Sequence, residues 1–278
     1  MIKIIDVDKL FDQYISDFVY KNIGKLKPEE IENEIPNLYE KFGNEKLKEL
    51  DGKTPNEYYQ NYDIVELLEC LKNHLDQRVE VSDFLCEAIN GKSQNESQLI
   101  KALDDDQSEE FTLYVMNMLI DLDSKKCLNK FLEFITWDYS EPIKELATEH
   151  LKENAESVKE QILAQFRDCD NSVKEYLTEI LSGCQRDDKV FDILIEQFAK
   201  NQDKIPLYAG YLAKYGDERA LTFLMAQIER QDISYADFEE LRFAIEALGG
   251  EYDKIRDFKK DKTYKKIMTS NEKKQIQH

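Results

Sequence analysis

Few side chains in this chain could do metal or nucleophilic chemistry, and none stands in a pattern that would let it. There are three histidines, of which His278 is the last residue. His74 falls on the polar shoulder of its helical pattern, and His150 shares a core-facing column with Met118, Ile180 and Tyr211. A metal site needs several His, Cys or carboxylate ligands converging on one point, and this spacing supplies no such set. Cys70, Cys86, Cys127, Cys169 and Cys184 are odd in number and scattered, with no C-x-x-C. They are expected to be reduced and mostly buried, with Cys169 and Cys184, in predicted turns, as the reactive candidates. No G-x-S-x-G, G-x-x-x-x-G-K-S/T or G-x-G-x-x-G occurs, so nucleophile-elbow and phosphate-loop chemistry have no support. With 58 Asp and Glu residues, carboxylate pairs arise by chance and do not signal acid–base catalysis. The sequence assigns no catalytic residue, no metal site and no cofactor.

Composition narrows the class of partner. The net charge of −20 opposes binding to phosphate backbones, which depends on replacing counterions with Lys and Arg. No run of about 18 apolar residues appears and no apolar stretch follows a basic start, so neither a membrane span nor a secretory leader is expected. The expectation is a cytoplasmic protein that binds protein rather than nucleic acid or membrane, in an oligomeric state the residues do not specify. Nine Gly and five Pro in 278 residues, with 35% charged residues, point to helices rather than to short strands and tight turns.

The first 60 residues read as a non-repetitive helical cap. Two helices are predicted over 8–22 and 28–42, with Pro28 in a favourable first-turn position, Gly43 as a stop and Pro36 as a kink or interruption. Thr54 before Pro55 marks another helix start.

From residue 61 to 250 the chain repeats. Aligning 127–135, 158–166, 190–198 and 220–228 places apolar residues at i, i+4, i+5 and i+8 each time. The last positions, with Leu71 and Leu103 before them, are Ile135, Phe166, Phe198 and Ile228, in steps of 32, 32, 31, 32 and 30. A preceding helix repeats in register, through Ile89, Leu119, Leu151, Leu181 and Leu212. A helix over about 236–248, with Phe243, Ala244, Ala247 and Leu248 facing inward, extends the series. Helix pairs of this length cannot bury their apolar stripes alone, so stacking neighbours must close the core. The predicted fold is all-α, a right-handed α-α superhelix with a period of about 31 residues.

The stretch YAGYLAKYGDERALTFLMAQI (208–228) resembles a short HEAT repeat of the phycobilisome-lyase-like type. Tyr215, Gly216, Asp217, Arg219, Ala220, Leu224 and Ile228 match the turn and second-helix pattern of that family, whereas Ala213 stands where Gly is frequent. Earlier units keep the apolar columns without the turn signature. The tetratricopeptide pattern fits less well, because the period is about three residues short and its small–large signature is missing. The paired His and Glu residues of HEAT-type iron hydroxylases are also missing, and the net charge disagrees with the basic face of HEAT-like DNA glycosylases.

The resemblance implies a curved stack whose second helices line a concave face that binds partners, usually proteins. The positions opposite the core columns include Glu133, Glu160, Gln161, Asp192, Ile193, Glu196 and Phe223, mostly acidic with two apolar anchors. The expected function is a non-catalytic interaction or scaffold module that takes a basic or amphipathic segment on an acidic concave face. The alternative is an enzyme or a lyase-like enzyme subunit holding substrate in the concavity. Trp137 and Tyr139 form the one other aromatic cluster expected to be exposed. Residues 251–278 form a basic end. From 253 onward nine Lys and Arg stand against four acids, a net of +5 that leaves −25 for the rest. Ile255, Phe258, Tyr264, Ile267 and Met268 are expected to fold this end over the last repeat, with the final eight or so residues mobile.

Overall fold

The computed structural model describes residues 2–91, 96–104 and 107–267, and every regular element among them is helical. The chain divides into two compact units, Met1–Lys130 and Phe131–His278. The first contains α1 (Val7–Asn22), α2 (Pro28–Gly43), α3 (Pro55–Tyr58), α4 (Ile64–Asp76), α5 (Asp83–Asn90), α6 (Glu96–Ala102) and α7 (Glu109–Asp121). The division falls inside α8 (Leu128–Thr136). The second contains α9 (Glu141–Glu153), α10 (Ala155–Gln165), α11 (Asn171–Leu181), α12 (Asp188–Lys200), α13 (Ile205–Tyr215), α14 (Leu221–Ile228) and α15 (Tyr235–Ala247). A last helix, α16, covers 262–267.

Within the first unit, α1 packs on α2, α2 on α3, α4 on α5 and α7, and α6 on α7. Helix starts follow the expected chemistry. Thr54 Oγ1 accepts from Glu57 N while Glu57 returns a carboxylate to Thr54 N, both at 3.3 Å, and Asp63 and Glu66 repeat the exchange at α4. Phe11 meets Tyr39 edge-on at 5.0 Å, and Tyr39 stacks on Phe84 at 5.1 Å. Pro36 does not interrupt α2. It lies on the exposed side, where water can hydrate the carbonyl that a proline leaves without a donor. His74 is not on a polar shoulder but is 1% exposed. Its Nδ1 lies 2.8 Å from the Cys70 carbonyl oxygen and its Nε2 3.3 Å from that of Ile5, so the ring ties α4 to the N-terminal segment.

Within the second unit, α9 packs on α10 and α11, α11 on α10 and α12, α13 on α12 and α15, and α14 on α15. The repeated columns are the core. Phe131, Ile162, Leu194 and Leu224 are all at most 1% exposed, and Val158, Val190 and Ala220 are buried beside them. Leu163, Ile195 and Met225, at the i+5 position, are only half-buried. At about 100° per residue, i, i+4 and i+8 span an arc of roughly 80°, and i+5 stands about 60° beyond its edge.

In α15 the inward face is Phe238, Leu241, Ala244 and Ile245, whereas Phe243 is 72% exposed. The expected inward placement of Phe243 and Ala247 is thus corrected. Ala244 alone could not fix which side of the helix packs on α13 and α14.

Successive turns are pinned to one another. Gly216 takes φ +74 at the end of α13, a left-handed conformation that glycine adopts without cost to a Cβ. Arg186 donates to the Gly216 carbonyl at 2.5 Å and pairs with Glu218 at 2.7 Å. Arg219 returns the contact to Asp188 at 2.8 Å, while its guanidinium grips both oxygens of Asp217 and lies 4.2 Å over the Phe191 ring. Tyr215 Oη accepts from Asp187 N at 2.6 Å. Glu179 on α11 joins Lys152 of α9 at 2.9 Å and the Tyr211 hydroxyl of α13 at 3.2 Å.

At the C-terminal end, Phe258 packs on Tyr235 and Phe238 and Tyr264 packs on Tyr235. Arg256 donates to the carbonyls of Ile228 and Glu229 at 3.0 and 3.1 Å, closing the end of α14. Ile255 takes no part, being 98% exposed, and Ile267 is exposed as well. Met268 and the final residues expected to be mobile lie outside the described residues.

Asp217 is buried and caps the turn before α14 by accepting from Arg219 N at 3.0 Å. Arg219 beside it holds its carboxyl below the usual carboxylate range. A carboxyl with a depressed folded pKa stabilises fully above its unfolded value of about 3.9, and that contribution is lost as pH falls through the lower folded value. In urea titrations Asp217→Ala is expected to lower the unfolding free energy by about 1–2 kcal/mol at neutral pH. The gap from the wild type should narrow as the pH drops below about 4. A gap unchanged at the lowest pH would place the effect in packing rather than in the carboxylate.

Candidate functional site

A groove of about 720 Å³ lies between α10 and α12 in the second unit. Helices α10 and α12 each pack on α11. At one end, Lys159 of α10 reaches Asp187, the N-cap of α12, at 3.7 Å, and Glu156 accepts from Gln185 N at 3.2 Å. At the other end, Arg167, just past α10, acts on Glu196 in the third turn of α12. Matching ends therefore lie together, and the two helices run parallel with the groove along their outer faces.

Phe166 and Gln197 are the buried part of its floor, and Leu163 and Ile193 are half-buried above them. Glu160, Asp192 and Glu196 supply carboxylates along the rim. Against the expectation of an acidic face, Arg167, Lys174, Lys189 and Lys200 line the same groove. Arg167 comes from the turn after α10 and Lys174 from α11, and neither lies on the second-helix positions that pointed to an acidic face. Lys200 pairs with Glu196 one turn away. That ammonium, with Arg167 and Lys174 adding to it, holds the Glu196 carboxyl below the usual carboxylate range. The Lys174 ammonium donates to the Arg167 carbonyl at 3.1 Å and stands 5.9 Å over the Phe166 ring.

The structure thus brings Glu160, Asp192, Ile193 and Glu196 to one place. Gln161 and Glu133 are exposed outside the groove lining. Phe223 is 42% exposed, packs edge-to-face with Phe191 at 6.5 Å and lies outside the groove lining. Trp137 is 63% exposed, whereas Tyr139 is half-buried with its ring 4.6 Å from Phe134.

The other candidate reactive groups are buried or half-buried. All five cysteines are free thiols. Burial pushes Cys184 up to about 12 and raises Cys169 as well, so neither is a thiolate near neutral pH. His150 is buried with its ring 5.4 Å from that of Phe131. Among the described residues no group of three or more His, Cys, Asp or Glu side chains is arranged to hold a metal ion, and no helix is long and apolar enough to cross a membrane.

Comparison with family models, with curated proteins and with solved structures returned no match. The groove has to be read from its own residues.

Groove and core are adjacent along α12 and should separate cleanly under mutation. Ile193 is half-buried at the rim, whereas Leu194 is 1% exposed. Leu194→Ala is expected to cost about 2–5 kcal/mol of unfolding free energy. Ile193→Ala should cost about 1 kcal/mol or less, because it loses only part of its buried area. Equal losses in denaturant titrations would place Ile193 in the core and remove it from the groove.

Proposed function

We propose that the chain is a HEAT-like α-solenoid module that binds a protein partner, and that the partner's segment lies in the groove between α10 and α12. The observation that carries the reading is the join of a half-buried apolar strip, Leu163 and Ile193, to a rim of exposed charges of both signs. Such a strip gains from losing water, and a charged rim selects among segments by sign and position. The groove is lined mainly by charged side chains, most of them exposed, which suit contact with a segment laid along it.

The repeat reading is supported by the burial of equivalent positions and by cross-connections at similar separations. Glu179–Tyr211, Asp188–Arg219 and Glu175–Lys204 are 32, 31 and 29 residues apart. In this reading each of the pairs α9–α10, α11–α12 and α13–α14 is one repeat of about 31 residues in a right-handed superhelix. The second helices α10, α12 and α14 then share the partner-binding face, which Gln161 and Phe223 extend beyond the groove.

Affinity capture from the native source, with mass spectrometry, tests the reading. The charge-reversed chain carrying Glu160→Lys, Asp192→Lys and Glu196→Lys should lose a discrete partner that the wild type retains, while Glu149→Lys on α9 should keep it. A partner set indifferent to the triple substitution would remove the groove as the binding surface.

A further inference from the structure

The charges of the groove are sorted along its length. Because α10 and α12 run parallel, Glu160, midway along α10, and Asp192, in the second turn of α12, lie with Lys189 on the N-terminal side of Arg167, Lys174, Glu196 and Lys200. Lys200 is taken up by Glu196. Lys189 offsets one of the two carboxylates at its end, so the surplus is one acid there and two bases, Arg167 and Lys174, at the other. Leu163, Ala164 and Ile193 form the uncharged middle. Eleven residues separate Lys189 from Lys200 in sequence, which at a helical rise of 1.5 Å is roughly 16 Å, or about three turns of helix.

We infer that the occupant is an amphipathic helix of about three turns that docks antiparallel to α10 and α12. Its first turn carries Asp or Glu against Arg167 and Lys174, its apolar face covers Leu163, Ala164 and Ile193, and its last turn carries Lys or Arg against Glu160 and Asp192. This deepens the groove reading above and rests on it.

Two electrostatic terms agree on the direction. The side-chain surplus demands acid at the Arg167 end and base at the Glu160 end. The backbone dipoles of α10 and α12 place partial negative charge at their C-terminal ends, so a docked helix gains by presenting its positive N-terminus there. A helix with acids in its first turn and bases in its last is also the more stable helix by itself. Less ordering free energy is then lost on binding. The opposite orientation of the same helix would set acid against acid and base against base at both ends. An extended segment would gain no backbone pairing in the groove, because helix faces offer no free backbone edge.

The test uses the full chain and two synthetic peptides of about twelve residues, each held helical by a lactam bridge. One has Glu in the first turn, Leu and Ile on one face and Lys in the last turn; the other has the Lys and Glu exchanged. In fluorescence anisotropy the first should bind about fivefold more tightly at low salt, as expected for two rim ion pairs. The difference should shrink as added salt screens the charges. The double variant Arg167→Glu, Lys174→Glu leaves both ends acidic and should abolish the preference. So should Glu160→Lys, Asp192→Lys, which acts from the other end and checks the result should the first variant be poorly folded by circular dichroism. Equal binding of both peptides, lost in Ile193→Asp, would overturn the orientation and leave the groove standing as a docking surface. Failure of both peptides to bind would overturn the groove and the orientation together.

Discussion

A helix whose buried residues recur at i, i+4 and i+8 has a core stripe of roughly 80° and can be covered only by other helices. In the second unit that constraint sets the arrangement. Ile162 on α10 and Leu194 on α12 are both buried, and both helices pack on α11. With their stripes turned to a common neighbour, α10 and α12 must lie side by side and present their remaining faces outward. The groove is the furrow left between those faces. Its floor, Phe166 and Gln197, belongs to the core, while its walls are side chains the core did not need.

Stripes alone leave helices free to slide, because apolar contact is non-directional. The turns remove that freedom by different chemistry at each step. Between the turns at 184–188 and 215–219, Arg186 and Arg219 exchange contacts in both directions and Tyr215 holds Asp187 N. Between the turns at 154–156 and 184–188, Glu156 accepts from Gln185 N and Lys159 reaches Asp187. Gly183 lies so close to α9 that a Cβ would meet the Lys152 carbonyl at 2.6 Å. The Gly-Asp-Glu-Arg-Ala signature is thus one solution to a task each turn meets with its own residues. For that reason the apolar columns recur through the chain while the turn sequence appears only once.

The same distinction explains what was legible in the sequence. Burial at helical spacing is dictated locally, and positions such as Phe131, Ile162 and Leu194 could be placed in the core from periodicity alone. Caps at Thr54 and Asp217 were equally local. The face of α15 was not, since Phe238 and Phe243 are both aromatic and five residues apart. Only the packing of α13, α14 and the 252–258 segment selects Phe238. His74 looked like a shoulder residue because its partner, the Ile5 carbonyl, is 69 residues away. Of the groove, the carboxylates of α10 and α12 were legible as an outward face. Arg167 and Lys174 were not, because they reach it from the turn and from α11.

In the docking proposed above, those two cations change how a −20 chain would select a partner. At distances well beyond a Debye length of about 8 Å, side chains on the protein are screened, and at low ionic strength the summed negative charge favours basic segments. In the proposed seating the relevant distances are a few ångströms, and Arg167 and Lys174 act directly on the docked segment while distant charges are screened. In that proposal encounter and seating are governed by different charges. The overall field acts on how fast a segment arrives, and the sorted rim acts on which direction it lies and how long it stays. A uniformly basic segment would gain from the first and be opposed at the Arg167 end by the second. A segment with charges of both signs, separated by an apolar face, meets neither conflict.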